Sequence, residues 1–384
     1  MIYKRLKDSE AVAIGVDVKP QNKYGNAKYY LSDEQIAKLD DIRSVGETTN
    51  YHGMPTPDIL LNPDNEQRKN LVIVGTSELK KGDEVVMEWV KKSVDKQKQI
   101  DAAEDIIKGL MSELMPTPPT PLLIDNFNDS LLSQYTLTDF HFGMMAWSEE
   151  TGADWDMEIA EEMLVRWFQR AIQSSPNSKV AILANIGDFL HWDGLDAVTP
   201  TSKHVLDADT RFSKLVRVAV RSLRKCIRLL LDKHEHVHIK MVEGNHDESS
   251  SSWLREVFDM YYEDEPRVTV DTSPSVYQYY GWGDVFLGYT HGHKSNFKKF
   301  ESVFISRFKV EYGVSKHAYV HCGHYHSTKV ETNLMIVEQH PTLAAKDAYS
   351  ARGGYDSCRN AKVITYHKLY GEVARSTINP DMLL

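Results

Sequence analysis

The apolar and polar positions change rhythm partway along the chain. Beyond about residue 133, short apolar runs of strand length alternate with stretches whose apolar residues recur every three or four positions. Residues 135–137, 180–185, 236–242, 285–289 and 318–320 read as strands. Between them the pattern predicts a helix from near Asp156 to about Gln173, with acidic residues in its first turn where the helix dipole favours them, and a long helix over about 208–232. Strands and amphipathic helices in alternation predict a layered α/β body. Each predicted strand runs into a polar cluster, which is where open α/β sheets place their ligand sites.

The earlier part of the chain is less regular. Residues 31–43 predict a short helix, with Ser32 and Gln35 at capping-box spacing before Ile36 and Leu39. Residues 71–75 and 85–89 predict two short strands around the hairpin signal Lys80-Lys81-Gly82-Asp83. Over 94–114, Ile100, Ala103, Ile107, Leu110 and Leu114 fall at helical spacing. Pro116, Pro118, Pro119 and Pro121 then exclude a helix or central strand and read as a semi-rigid linker. The expected organisation is a small α+β accessory region at 1–115, a linker at 116–124 and a main domain at 125–384.

Composition narrows the function. Of the 384 residues, 41% are hydrophobic and 26% charged, which suits a globular chain with a real core. No apolar run approaches the roughly 18 residues of a membrane helix, and the first residues lack the apolar stretch of a signal peptide. The expectation is a soluble, cytoplasmic protein with no membrane partner. Cys226, Cys322 and Cys358 are too few and too scattered for a disulfide framework or a zinc ribbon. The net charge of −10 argues against coating duplex DNA by charge alone, so any nucleic-acid contact must be local or neutralised by metal.

Five clusters carry the candidate chemistry: Asp139-Phe140-His141; Gly187-Asp188 with His191 beyond it; Gly244-Asn245-His246-Asp247; His291-Gly292-His293; and Gly323-His324-Tyr325-His326. Two carboxylates, an amide and several imidazoles form a mixed oxygen and nitrogen donor set suited to Mn, Fe, Zn or Ni. In extended segments a D-x-H or H-x-H triplet puts both side chains on one side. The glycines let the chain turn sharply and approach closely.

In this order the clusters resemble the calcineurin-like metallophosphoesterase superfamily, with its pattern D-x-H, G-D, G-N-H-[DE], H and G-H-x-H, over about residues 133–330. Residues 344–372, with Asp347-Ala348-Tyr349, Arg352-Gly353-Gly354 and Ile364-Thr365-Tyr366-His367-Lys368, resemble metallophosphoesterases encoded by tailed bacteriophages. The resemblance implies a four-layer αββα sandwich around two divalent ions, with Mn foremost and Fe, Zn or Ni as alternatives. Carried over by motif, Asp139, His141 and His326 bind one ion, Asn245, His291 and His324 bind the other, and Asp188 bridges them. His291 is the ligand of its pair because the family's ligand precedes glycine; His293 then touches substrate or supports the site. His246 acts as acid or hydrogen-bond donor. Two such ions about 3.5–4 Å apart generate a hydroxide at neutral pH that attacks phosphorus in line. Asp247 either orients a neighbouring group or caps the helix that follows.

Substrate class turns on a few positions. Protein phosphatases of this superfamily read G-D-x-x-D-R-G, whereas this chain reads Gly187-Asp188-Phe189-Leu190-His191-Trp192-Asp193-Gly194. A histidine at the position of His191 is similar to the SbcD-type exonucleases, which implies a second histidine working beside His246. The expectation is a metal-dependent phosphodiesterase, a nuclease acting on nucleic acid in a phage-infected host, with a homodimer as its assembly. A phosphomonoesterase, a cyclic-nucleotide diesterase, and a binding module with vestigial activity are the alternatives. Lys214, Arg217, Arg221, Arg224 and Arg228 line one face of the long helix as a solvated surface or a phosphate track. Lys294, Lys298, Lys299, Arg307 and Lys309 offer a second basic stretch for steering a polyanion. Tyr279, Tyr280, Trp282 and Tyr325 are base-stacking candidates or core and rim aromatics, Arg352-Gly353-Gly354 is a phosphate loop or a turn, and Cys322 is a small buried hydrophobe.

Overall fold

The computed structural model describes the backbone of residues 2–6, 27–31, 71–81 and 84–94, together with residues 119–122, 126–200 and 204–383. The chain divides into two compact units, Met1–Lys98 and Gln99–Leu384. In the first, β1 (Ile2–Leu6) pairs antiparallel with β2 (Ala27–Leu31). A longer hairpin joins β3 (Leu71–Lys81) to β4 (Glu84–Val94). The hairpin falls where the Lys80-Lys81-Gly82-Asp83 signal predicts it, with longer strands than the apolar runs suggest. Of the helices expected over 31–43 and 94–114, Leu31 and Val94 instead end β2 and β4, and the remainder lies outside the described residues, as do residues 116–118 of the proline stretch.

In the second unit β5 (Asn128–Leu137) is followed by α1 (Ser148–Thr151), α2 (Met157–Ser174), β6 (Ser178–Asn185), α3 (Phe212–Leu231), β7 (His236–Met241), α4 (Glu248–Tyr261) and β8 (Val268–Val270). Then come β9 (Gln278–Trp282), β10 (Val285–Tyr289), α5 (Phe300–Arg307), α6 (Lys309–Gly313), β11 (His317–Cys322), β12 (Lys329–Thr332), β13 (Ile336–Gln339), α7 (Ala348–Gly353), β14 (Ala361–His367) and β15 (Gly371–Ile378). Six strands form one sheet in the order β15-β14-β5-β6-β7-β8, and five form a second in the order β12-β13-β11-β10-β9. Strands β5 to β8 run parallel, as do β10, β11 and β13.

Side-chain alternation along the central strands explains the layering. In β6, Ala181 and Leu183 face a cluster built by α2, α3 and α4, while Val180, Ile182 and Ala184 face the other sheet. In β10, Val285, Leu287 and Tyr289 join that inter-sheet cluster, whereas Phe286 packs outward against Phe300 and Phe304 of α5 and its approach. Strands covered on both faces are apolar on both, as parallel sheets require. The result is the expected four-layer αββα sandwich.

Helix α2 starts where predicted because Asp156 accepts the Ile159 amide at 2.8 Å. Helix α3 starts four residues later than the periodicity suggests: Ala208 bridges to Met144, and the Asp209 carboxylate accepts the amide of Met157. One buried polar network joins the sheets. Glu338 receives Lys362 and Arg375, each at 2.6 Å, and His321 contacts both His340 Nε2 (2.8 Å) and the Tyr366 hydroxyl (2.9 Å). His321, Glu338 and His340 lie close enough to hold a cation, but the two basic side chains already supply the charge that Glu338 needs.

Ile182 is fully buried between the sheets. Ile182→Ala should cost about 2–5 kcal/mol of unfolding free energy, measured as a lower urea midpoint with an unchanged slope.

Candidate metal centre

Strands β5, β6 and β7 lie side by side in one sheet, and β10 and β11 lie side by side in the other. Their ends deliver Asp139 and His141, Asp188, Asn245 and His246, His291, and His324 and His326 to one place. The turns are tight and strained. Among the described residues, the non-glycine residues with left-handed φ are Asp139 (51°), His141 (48°), Asp188 (53°), His324 (73°) and His326 (51°). That conformation costs an L-residue about 1–2 kcal/mol. All five are expected ligands, so the strain sits where side chains are aimed at a common point.

Hydrogen bonds between the loops hold these conformations. Asp139 N donates to Gly187 O and His141 N to Asp188 O, each at 3.0 Å, and His324 N donates to the Asp139 carboxylate at 2.9 Å. Gly187 has φ +90°, and a Cβ there would fall 2.8 Å from the His291 ring. A Cβ on Gly323 would collide with Thr138 and Asp139.

Asp247 is the brace beneath. Its carboxylate accepts the amides of Asp188 (3.1 Å), Phe189 (2.8 Å), Leu190 (3.3 Å) and Gly244 (3.0 Å). It therefore locks the Gly187-Asp188 turn to the Gly244-Asn245-His246 turn. It precedes α4 but makes no side-chain cap there; Asp193 takes that work, accepting Ser249 N at 2.5 Å and Ser250 N at 2.7 Å. Burial, with Asp188 and Asp193 nearby, pushes the Asp247 pKa up, and the four amides pull against that. Sequence reasoning missed Asp193, Thr138, which donates to Asp139 at 2.6 Å, and Thr342, which donates to the Asp139 carbonyl at 2.5 Å. Their signal is only a short polar residue near a motif, which is too common to stand out.

The expected ligands gather in two groups: Asp139, His141 and His326, and Asp188, His291 and His324. In the first, His326 Nε2 lies 3.2 Å from His141 Nε2 and 3.2 Å from Asp139 Oδ1. In the second, His291 Nε2 lies 3.0 Å from Asp188 Oδ2, at an angle that makes no hydrogen bond. Ligands about 2.1 Å from one ion are roughly 3.0–3.4 Å apart along an octahedral or tetrahedral edge, so these spacings fit a first-row cation. His291 Nδ1 lies 2.8 Å from the Ile186 carbonyl, so it carries the proton and leaves Nε2 with its lone pair. The Oδ1 of Asn245 is buried without a partner.

The electrostatics agree. Burial raises the Asp139 and Asp188 carboxyls, but the neighbouring histidines outweigh it, and both are held below the usual range. Burial disfavours a charged His291 ring, yet Asp188 and Asp139 lift its pKa to about 10. The paired carboxylates demand positive charge where Nε2 points, and a proton and a divalent ion compete for that position.

His246 and His191 adjoin the first group. The His246 ring is 4.7 Å from that of His141 and is stacked on His191 at 5.5 Å. His246 Nδ1 lies 2.8 Å from the His191 carbonyl, and His191 Nδ1 lies 3.2 Å from His141 Nδ1. Burial lowers the pKa of both His141 and His191 well below the ordinary value, leaving neutral rings. A cavity of about 730 Å³ opens over His191, Asn245, His246 and His324 and reaches the α7 segment.

Other candidates fall elsewhere. His293 lies behind His291, 3.9 Å from Glu243 and outside the cavity lining. On α3, Arg221 and Lys225 bind Glu161, Arg224 meets Tyr261 and Arg228 meets Asp232, while Lys214 and Arg217 are exposed, which makes this a solvated and partly ion-paired face. Lys294 is taken by Glu248 and Arg307 lies over the Tyr277 ring, while Lys298 and Lys299 are exposed. Tyr279 packs on Phe286, and Tyr280 and Trp282 pack on the inter-sheet core; Tyr325 is exposed beside His324. Cys322 is buried in the outer cluster, as expected. Arg352 binds Glu150 rather than standing clear for a phosphate.

No family model and no curated protein matches the chain. Solved structures similar to it include a dimetal phosphatase from Danio rerio (8% identity, 65% of this chain, 99% of that one, TM-score 0.34). Others are an uncharacterized protein from Streptococcus pneumoniae described as a predicted phosphoesterase (9%, 65% and 99%, 0.29) and Vps29 from Chaetomium thermophilum (10%, 65% and 95%, 0.29). At these scores the overlap is loose, and the architecture rests on the sheet order and layers above. No described helix is long and apolar enough to cross a membrane.

Asp247→Asn removes acceptor capacity without touching a ligand. It should weaken Mn²⁺ binding about 10- to 100-fold, read by titration calorimetry.

Proposed function

We propose that this chain is a divalent-metal-dependent phosphoesterase of the calcineurin-like type, acting on nucleotidyl phosphodiesters. The convergence of two ligand groups from four separate strand ends, with Asn245 arriving from a fifth and the backbone strained at five of the ligands, carries this reading. Asp139, His141 and His326 would hold one ion and Asn245, His291 and His324 the other. Asp188 would bridge them: its Oδ2 faces His291, and its Oδ1 accepts the His246 amide at 2.8 Å. When bound, such a pair supplies an activated water and positive charge for the phosphoryl oxygens, and Mn²⁺ is the foremost candidate. His246 lines the cavity and, when charged, delivers a proton from Nε2 to the leaving oxygen, its ring fixed by the Nδ1 contact to the His191 carbonyl. His191 supports it by stacking beneath.

Charge favours a diester over a monoester. A monoester dianion calls for a cationic clamp beyond the metals. Among the described cavity-wall residues the arginine is Arg352, and it is bound to Glu150. A duplex-gripping nuclease is disfavoured by the net charge of −10 and by the acidic partners of Arg221, Lys225 and Arg228 on α3. The reading that remains is cleavage at single-stranded nucleic acid or a free nucleotide diester.

Mn²⁺ should support cleavage of a labelled single-stranded oligonucleotide and of bis(p-nitrophenyl) phosphate, and EDTA should abolish both. His246→Ala should lower kcat about 10²- to 10⁴-fold, and Asp188→Asn should abolish turnover. Much faster hydrolysis of p-nitrophenyl phosphate than of any diester would overturn the diester reading.

A further inference from the structure

Residues 346–356 build the far wall of the cavity, and none of them is buried in the core. Lys346 and Asp356 form an ion pair that closes the base of a loop over residues 346–356. Asp347 caps α7 by accepting the Ser350 amide at 2.8 Å, and Arg352 ties α7 to Glu150 of α1 at 2.8 and 3.1 Å. Gly354, at φ +68°, ends the helix with its amide on Ala351 O and that of Tyr355 on Ser350 O. A Cβ on Gly353 would overlap the Tyr355 ring. The Arg352-Gly353-Gly354 sequence is thus the turn that ends a helix, the plainer of its two expected readings, and not a phosphate loop. It anchors the helix and folds Tyr355 back beside Tyr349.

The two rings lie 6.2 Å apart with planes 31° from each other, and the residues are 68% and 62% exposed. Both line the same cavity as Asn245, His246 and His324. An ordered loop tied at three points that holds two large aromatics out in water is a binding device more than a packing one. The charge of the described wall selects the ligand. Asp207 and Asp347 are acidic and Arg352 is neutralised, so this end of the cavity repels a second phosphate and suits an uncharged ring. About 730 Å³ accommodates a nucleotide.

We infer that Tyr349 and Tyr355 form a nucleobase platform that seats the nucleoside next to the scissile phosphate, and so determine specificity for nucleotidyl over simple alkyl diesters. This rests on the phosphodiesterase reading above. His204 and Asp207, in the same cavity lining, offer polar atoms for the base edge.

The test compares thymidine 5′-(p-nitrophenyl) phosphate with methyl p-nitrophenyl phosphate, two diesters with one leaving group. The wild type should favour the thymidine ester. The Tyr349→Ala/Tyr355→Ala variant should lose that preference by about 5- to 100-fold in the ratio of kcat/KM values, mainly through KM. Tyr349→Phe/Tyr355→Phe should keep it, since the rings remain. Calorimetry on the Mn²⁺-loaded protein should show thymidine 5′-monophosphate binding more tightly than inorganic phosphate in the wild type and not in the alanine variant. A preference that survives loss of both rings, or none in the wild type by either measure, overturns the platform. If neither diester turns over while the nucleotide still binds in a tyrosine-dependent way, the phosphoesterase reading falls and the platform stands.

Discussion

Two carboxylates, Asp139 and Asp188, are buried within reach of the same imidazole, Asp188 Oδ2 at 3.0 Å and Asp139 Oδ1 at 3.9 Å from His291 Nε2. Like charges so placed are costly unless positive charge lies between them. Much of the surrounding architecture manages that repulsion. The His324 amide and Thr138 hydroxyl stabilise Asp139, the His246 amide stabilises Asp188, and Asp247 holds the turn that presents Asp188. The sandwich brings five strand ends together because its two sheets face each other across an apolar interior, with Tyr289 and Ile182 among its members.

The parts of this arrangement that sequence made legible are those with a local signature. Five strand-then-polar junctions stand out because an apolar run ends abruptly in residues of unusual type. The structure brings all seven expected ligands to one region. Helix α2 was visible through its apolar spacing and its acidic first turn. By contrast β12 and β13 are four residues each, one of them carrying Glu338, a buried charge that breaks the apolar pattern and is bound by Lys362 and Arg375 from elsewhere in the chain. Such pairing has no trace in a local window.

The same distinction explains which of two open readings held. An arginine row on α3 has the right spacing for a phosphate track, but spacing does not reveal that Glu161, from a different helix, sits against it. Asp247 has the sequence position of a helix cap, yet its side chain turns to the neighbouring loop while Asp193 reaches over to α4. Tyr349 and Tyr355 carry no local signal of their own; the chain reversal at Gly353-Gly354 is what places their rings together.

The left-handed backbone at Asp139, His141, Asp188, His324 and His326 also governs how an inactive form of the protein should be made. Asparagine tolerates that conformation better than alanine, and a β-branched residue tolerates it least. An amide exchanged for either acid keeps the loop geometry while removing the charge. Bulkier replacements instead let the turn relax to ordinary dihedrals and pull the neighbouring donors out of line, so that silence of the chemistry and collapse of the scaffold become indistinguishable.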